Sequence, residues 1–308
     1  MPLTPPARAW LSAATGIRDP HLRLTPLAGG TSTTMLAVAD GSGPPRFALR
    51  LLDNAAWLAE EPDLLEHEVA ALAKASPTGL PVPEVVAAHV GGNPFGPAAL
   101  VTTFLPGRVV LRPADPERWT NRLASTLARV HAVPAQEFPW RYRSWVNAGN
   151  VRVPDWTSRP RLWEAAVEAY SAHGSRLAGT GETTFIHRDY HPLNLLFSGS
   201  GPDLAVSAVV DWVNACSGPA AADVSHCRMN LAMLYGAEAA DAFLRAYGAE
   251  VRGFDYDPLW DLEAVFDMAA PTPTYYAPWD AFGEPDPGEA VVRERVEAQV
   301  ERALALNS

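Results

Sequence analysis

Lysine is nearly absent from this chain: Lys74 is the only one among 24 basic residues, which face 35 acidic ones. The formal net charge is −11 and the isoelectric point about 5.2. Nucleic-acid binding needs a basic face that displaces counterions from phosphates. This balance therefore argues against a nucleic-acid partner and favours the approach of small cations. Cysteine is scarce as well. Cys216 and Cys227 have no spacing that suits a disulfide framework or a zinc knuckle, which fits a reducing cytoplasm. No window reaches the roughly 18 uncharged apolar residues of a membrane helix, and the opening MPLTPPARAW lacks the basic start and apolar core of a secretion signal. The expectation is a soluble cytoplasmic protein with no membrane partner. Internal repeats and low-complexity linkers are missing too.

What the sequence does have is material for a core. With 48% hydrophobic and 19% charged residues over 308 positions, it has enough apolar surface for one large or two medium domains. Residues 21–52 alternate in three runs, HLRLTPLAGG, TTMLAVAD and RFALRLL, the last two split by the turn DGSGPP; this is the pattern of an antiparallel meander. Residues 62–75 have helical spacing, with Leu65, Val69 and Leu72 on one face. VPEVVAAHV and AALVTTF, separated by GGNPFG, read as a further hairpin. Five strands and one main helix thus precede Leu105, Pro106 and Gly107, a hinge dividing residues 1–105 from residues 106–308. Beyond it, residues 116–133, 161–177, 220–235, 237–247, 258–268 and 288–306 read as helices, with a Pro- and Trp-rich insert between the first two. The expected fold class is α+β in two lobes, one built on a five-stranded antiparallel sheet and the other mainly α-helical.

The chemistry concentrates in FIHRDYHPLNLLF, residues 185–197, and VVDW, residues 209–212. Strand-like apolar runs flank loops that carry Asp189 and Asn194 in the first segment and Asp211 in the second. That layout suits phosphoryl transfer from a metal-bound nucleotide, where catalysis is mostly positioning and charge neutralisation. Magnesium takes one or two carboxylates together with amide, water and phosphate oxygens, so Asn194 and Asp211 fit as metal ligands. Asp189 fits the catalytic place beside an acceptor hydroxyl, aligning its lone pair with the γ-phosphorus and taking its proton late. An ordinary aspartate is ionised at neutral pH, so the role needs no perturbed pKa. His187 and His191 raise the alternative of a zinc hydrolase, which lacks a third ligand at a helix-compatible spacing.

HRDYHPLN reproduces the H-R-D-x-x-x-x-N loop of eukaryotic-like kinases, and VVDW stands where protein kinases have Asp-Phe-Gly. The Trp after Asp211, the His two residues after Asp189 and the later GPAAADVSH run resemble the aminoglycoside phosphotransferase and choline kinase superfamily, over about residues 24–234. The resemblance implies a bilobal protein-kinase-like fold, ATP or GTP as co-substrate, Mg2+ as cofactor and a small hydroxyl-bearing acceptor. No Ala-Pro-Glu segment follows VVDW, so a protein kinase fits less well. A different class stays open, a kinase-like nucleotide-binding scaffold that has lost catalysis.

The scaffold alternative has one hint. By the resemblance, FALRLL places Arg50 where protein kinases carry the strand-three lysine that meets the nucleotide phosphates. Arginine keeps the charge and adds a planar fork suited to phosphate. Glu68, at the edge of the apolar face of the 62–75 helix, is its expected partner. AGGTSTT occupies the phosphate-covering turn, where Gly30, Thr31, Ser32 and Thr33 would offer amides and hydroxyls. Thr102, Thr103 and Phe104, at the end of the fifth strand, would meet the purine with main-chain groups.

On the acceptor side, Trp140, Tyr142, Trp145, Trp156 and Trp163 of the insert form either an aromatic floor or simple packing. Asp255, Asp257, Asp261, Glu263, Asp267, Asp280 and Glu284 would suit aminoglycoside amines, but their spread reads as a solvated face. By the resemblance, Asp223, in GPAAADVSH, supports the catalytic loop, either as an N-cap or as a hydrogen-bond partner for the His187–Arg188 backbone. His191 is open to three readings: a bond near Asp211, an approach to phosphate, or packing.

Overall fold

Alternation of apolar and polar residues builds the first layer. The computed structural model describes residues 3–28, 33–179, 183–270, 273 and 275–306. Its strands β1 (Leu22–Pro26), β2 (Thr34–Asp40) and β3 (Pro45–Leu52) form an antiparallel meander. Two more, β4 (Val85–His89) and β5 (Ala98–Thr103), complete a sheet in the order β1-β2-β3-β5-β4. Period-2 geometry sends successive side chains to opposite faces. On one face Leu49, Leu51 and Val101 pack with Ala7 and Leu11 of α1 (Pro5–Thr15). On the other, Leu52 and Leu100 join Leu65 and Leu72 of α3 (Leu64–Ala75), with the short α2 (Ala55–Glu60) alongside.

The sequence predicts one main helix here, so α1 and α2 are additions. The Thr4 hydroxyl accepts the Ala7 amide at 3.3 Å ahead of two prolines in the first turn, and Gly16 ends α1 in the left-handed region at φ 69°. The start signal is present, but the prolines that suit it also read as a loop.

The second lobe is helical. Among the described residues, α4 (Pro116–His131) packs along α7 (Ala237–Glu250), while α5 (Pro160–His173), α8 (Leu259–Met268) and α9 (Glu289–Leu306) gather on the other side of α6 (Ala220–Tyr235). These six helices fall where apolar periodicity predicts them, to within a few residues at their ends. Every residue of α6 except Ala220, His226 and Tyr235 is buried, so its polar side chains, Asp223 and Arg228 among them, need partners within the fold. Two small antiparallel sheets, β6 (Thr183–Ile186) with β9 (Cys216–Pro219) and β7 (Leu195–Ser198) with β8 (Ala205–Val209), lie against α4 and α6. The crossover between lobes is pinned at Gly107, where a Cβ would collide with Ser207 Oγ and sit 2.7 Å from Leu196 Cβ. Arg108 and Phe197 exchange backbone bonds next to it, at 3.0 and 2.8 Å. No helix among the described residues is long and apolar enough to cross a membrane.

One buried charge ties the second lobe together. Arg228 on α6 has no exposed side-chain surface; its Nε and Nη2 each donate to Asp261 of α8 at 2.8 Å, and Nη1 donates to Ala240 O at 2.8 Å. Asp261→Ala leaves this guanidinium buried without its two-pronged partner and should lower stability by about 3–5 kcal/mol, read as a lower urea midpoint. Asp241→Ala, which removes a second carboxylate 3.3 Å away, should lower it markedly less.

Candidate functional site

The turn after β6 is fixed from beneath by α6. Asp223, with no exposure, accepts the backbone amides of His187 at 2.7 Å and Arg188 at 2.6 Å, and His131 Nε2 lies 3.1 Å from the same carboxylate. These charge-assisted bonds hold Arg188 at φ 70°, a left-handed conformation rare for a side chain of this size. His187 Nε2 donates to Val210 O at 3.0 Å and its ring packs on Trp212 at 4.6 Å. Burial pushes this imidazole below its ordinary pKa, so it serves as a neutral tie between the two loops. His187 therefore turns away from His191, and the zinc pair weighed from the sequence is not formed.

Asp189 lies at the centre of a hydrogen-bonded group. Its side chain is 28% exposed; His226 Nε2 lies 3.1 Å and His191 Nε2 3.4 Å from Oδ1. Asn194 Nδ2 donates to Asp189 Oδ2 at 3.1 Å and to its carbonyl at 2.8 Å, and lies 3.2 Å from His191 Nε2. An ionised carboxylate only accepts, with about four lone-pair sites, so three donors leave room for another. Burial pushes this carboxyl up, but the two imidazoles outweigh it and hold it well below the usual range. The ligand atoms of Asp189, His191 and His226 lie within 4.8 Å of one another, and their spacing is that of hydrogen-bond partners. His191 thus faces Asp189, whereas the sequence left Asp211, phosphate and packing open.

The second cluster spans the lobes. Arg50 on β3 is 7% exposed; it donates Nη1 to Glu68 Oε2 at 3.0 Å and Nη2 to Asp211 Oδ1 at 2.7 Å, while Nε faces Met35 Sδ at 3.3 Å. Burial alone would favour the neutral guanidine, but Asp211 and Glu68 raise the Arg50 pKa and keep it charged. Asp211 sits at φ 65°, and Val210 N donates to Asn194 O at 2.9 Å, so one backbone bond joins the Asp189 and Asp211 loops. His67, next to Glu68 on α3, places Nε2 2.5 Å from Ala215 O and stacks on Trp140 at 4.3 Å. Trp140 Nε1 donates to Asp63 at 2.9 Å. The helix carrying Glu68 is therefore braced against the loop that follows Asp211.

Oxygen donors suited to magnesium are present. Asp211 uses one oxygen for Arg50 and its side chain is 36% exposed. Asn194 donates through Nδ2, and its amide oxygen makes no protein bond among the described residues. A carboxylate oxygen and an amide oxygen on joined loops match the hard-oxygen preference of that ion.

On the nucleotide side, Gly30, Thr31 and Ser32 lie outside the described residues; Thr33 forms a bend before β2. Thr103 N and Phe104 N donate to Glu84 O and Arg46 O, both at 2.9 Å, and Thr102 is in register with Ala48. The amides of Thr103 and Phe104 are thus engaged within the protein.

The insert aromatics divide. Trp163 is fully buried, Trp156 Nε1 donates to Ala270 O at 2.9 Å, and Tyr142 donates its hydroxyl to Glu263. Trp145, 55% exposed, lies 3.7 Å from the Arg188 guanidinium. Two participants escape the sequence reading: His226, one of several polar residues on the largely buried α6, and His67. The burial of α6 is the signal that would have found the first, because an imidazole there needs a partner.

Comparison with known proteins follows from this geometry. A family model described as the phosphotransferase enzyme family matches residues 23–262. The structure is similar to that of a type VIII aminoglycoside-3'-phosphotransferase, at 23% identity and a TM-score of 0.58, covering 86% of this chain and 99% of that one. The macrolide 2'-phosphotransferase MphH of Brachybacterium faecium is similar at 20% identity and TM-score 0.57, with 94% and 95% covered. The aminoglycoside phosphotransferase APH(3'')-Id of Streptomyces rimosus, solved with ADP and streptomycin, is similar at 18% identity and TM-score 0.56, with 84% and 96% covered. No curated protein sequence matches the chain. The likeness establishes the bilobal kinase-like fold.

Asp223 gives the site a definite acid response. Burial raises its pKa, but His131, His187 and the amides it accepts lower it more, leaving it below the ordinary value. With a folded pKa below the unfolded one of about 3.9, its stabilisation is complete above that value and is lost as pH falls through the folded one. Asp223→Asn should lower the melting temperature at pH 7 and flatten, without abolishing, the loss of stability below about pH 4, since Asp189 titrates in the same direction. Melting curves between pH 7 and pH 3 would check this; parallel curves for both proteins would contradict it.

Proposed function

The chain belongs to the phosphotransferase enzyme family, and from that premise we propose that it transfers the γ-phosphoryl group of ATP or GTP to a hydroxyl of a small molecule in the cytoplasm. In this reading residues 1–105 form the nucleotide-binding lobe and residues 106–308 carry catalysis and the acceptor. One arrangement carries it. Asp189, ionised and partly open, lies on a loop bonded through Asn194 O and Val210 N to the loop of Asp211, which reaches Arg50 at 2.7 Å. A base position, two oxygen ligands and a cation are thereby gathered at one inter-lobe cleft.

Asp189 accepts the hydrogen bond of the acceptor hydroxyl and directs its oxygen at the γ-phosphorus. With its pKa held low, it orients the hydroxyl and takes the proton late, as the bond to phosphorus forms and the bond to the departing diphosphate breaks. Asn194 and Asp211 hold Mg2+, which when bound neutralises charge on the phosphates. Arg50 turns its fork to the phosphates and Glu68 keeps it in place. Thr33, at the bend before β2, covers the phosphates, the role the resemblance also gives to Gly30, Thr31 and Ser32. Thr102, Thr103 and Phe104 border the purine, offering carbonyls and side chains because the last two amides are engaged. The Arg50–Asp211 ion pair favours one rival, a nucleotide-binding scaffold without turnover, since it occupies an oxygen that the metal needs. The open amide oxygen of Asn194 and the vacant acceptor position on Asp189 weigh against it.

Asp189→Ala should retain stabilisation by magnesium nucleotide and lose acceptor-dependent ADP or GDP release by about 10²–10⁴-fold. Asp211→Ala should lose the nucleotide-induced rise in melting temperature itself. Unchanged turnover in Asp189→Ala would remove Asp189 from its role; stabilisation by nucleotide with no product across a broad acceptor panel would favour the scaffold.

A further inference from the structure

Next to Asp189 in the chain stands a cation with no ion-pair partner among the described residues. Arg188 is 7% exposed, yet among the described residues it forms no ion pair, and its one hydrogen bond, from Nη2 to Arg143 O, is long at 3.5 Å. Buried guanidinium groups are normally matched by carboxylates, and in this chain Arg228 has Asp261 while Arg50 has Glu68 and Asp211. Arg188 has rings instead. Its guanidinium carbon lies 3.7 Å from the centroid of Trp145 and 4.7 Å from that of Tyr142. Stacking fixes the guanidinium plane and covers its faces, leaving N–H edges of the geometry that grips a carboxylate or phosphate with two parallel bonds. Trp145 is 55% exposed, so the stack opens to solvent.

Four of the carboxylates that the sequence offers to a polyamine are engaged within the fold. Asp261 is bound by Arg228, Glu263 accepts the hydroxyls of Tyr142 and Tyr170, Asp257 accepts the Leu259 amide, and Glu284 pairs with Arg112. Asp267 on α8 has no such partner among the described residues, and both Arg188 and His226 act on its carboxyl. His226 in turn bonds Asp189 at 3.1 Å. The anchor is the residue next to Asp189 in the chain, and its ring partner Trp145 is open to solvent.

We propose that Arg188 anchors an oxyanion of the acceptor, so that the molecule phosphorylated beside Asp189 carries a carboxylate or phosphate group as well as its hydroxyl and is not a polyamine. The word acceptor rests on the phosphoryl-transfer reading; the oxyanion site does not need turnover.

Binding and turnover separate the two claims. The full chain with magnesium ADP is titrated by calorimetry with L-serine, L-homoserine, glycerate, the methyl ester of each, glycerol 3-phosphate and 3-amino-1,2-propanediol. ADP release from magnesium ATP is followed with the same compounds. At least one oxyanion should bind about tenfold or more tightly than its uncharged or cationic counterpart, with the acids and the phosphate ester distinguishing the two kinds of oxyanion. Arg188→Gln should erase that preference, with nucleotide binding as the folding control. Trp145→Ala, at an exposed position where folding is not at stake, should weaken it. Equal binding of acid and ester, tighter binding of the amine, or binding of no oxyanion overturns the proposal. Oxyanion binding that depends on Arg188 without ADP release leaves this site standing and removes the transfer reading; ADP release with the amine alone does the reverse.

Discussion

Asp223 is a charge that solvent never reaches, and the geometry of both loops descends from it. A buried carboxylate is costly unless donors surround it, and here they are two consecutive backbone amides and an imidazole. Because those amides belong to His187 and Arg188, satisfying the carboxylate fixes the path of the chain. A left-handed residue such as Arg188 costs of order 1–3 kcal/mol and persists only when its surroundings over-determine it. Held this way, Arg188 points into the aromatic insert while Asp189 enters the cleft. His187 carries the constraint to Val210, and Val210 to Asn194. The Asp211 loop thus inherits its position from a residue on another element.

The carboxylates of Asp189 and Asp211 sit in different surroundings. Asp189 is surrounded by the neutral amide of Asn194 and two imidazoles, groups that orient it without closing its last accepting position. Asp211 is more exposed and faces the guanidinium of Arg50, itself anchored by Glu68. The first arrangement suits a group that must meet a neutral hydroxyl. The second leaves one oxygen of Asp211 free of Arg50 and its side chain partly open. Separating the two environments lets one cleft hold several anions without their repulsion undoing it.

How much of this the sequence disclosed follows from which features are local. Apolar periodicity exposed the strands and the helices of the second lobe because burial imposes it residue by residue. It missed α1, whose prolines fit both a helix start and a loop. The pairing of Arg50 with Glu68 was legible because one sits on a strand and the other on a helix face, and Asp189, Asn194 and Asp211 were legible as loop residues beside strand ends. Asp223 was legible as a backbone support and makes those bonds. His226 was not, because its role depends on how α6 meets a loop nearly forty positions earlier. The engagement of the Thr103 and Phe104 amides escapes the sequence for the same reason: their partners, Glu84 and Arg46, are set by sheet pairing.

The charge balance shows the same gap between chain and site. A net charge of −11 governs approach over distances comparable to the Debye length, about 8–10 Å, and taken alone it favours cations. At contact range another count applies. Most of the acidic residues around α8 are matched within the fold by arginines, tyrosine hydroxyls or a backbone amide, so they add to the total without offering a site. Arg188, one positive charge against that total, forms no ion pair among the described residues. The fold is shared with proteins named for aminoglycosides and macrolides, but a scaffold does not transmit its acceptor. What selects the acceptor is the set of buried groups still lacking partners after folding, because leaving such a group desolvated and unpaired costs more than a mismatch at the surface.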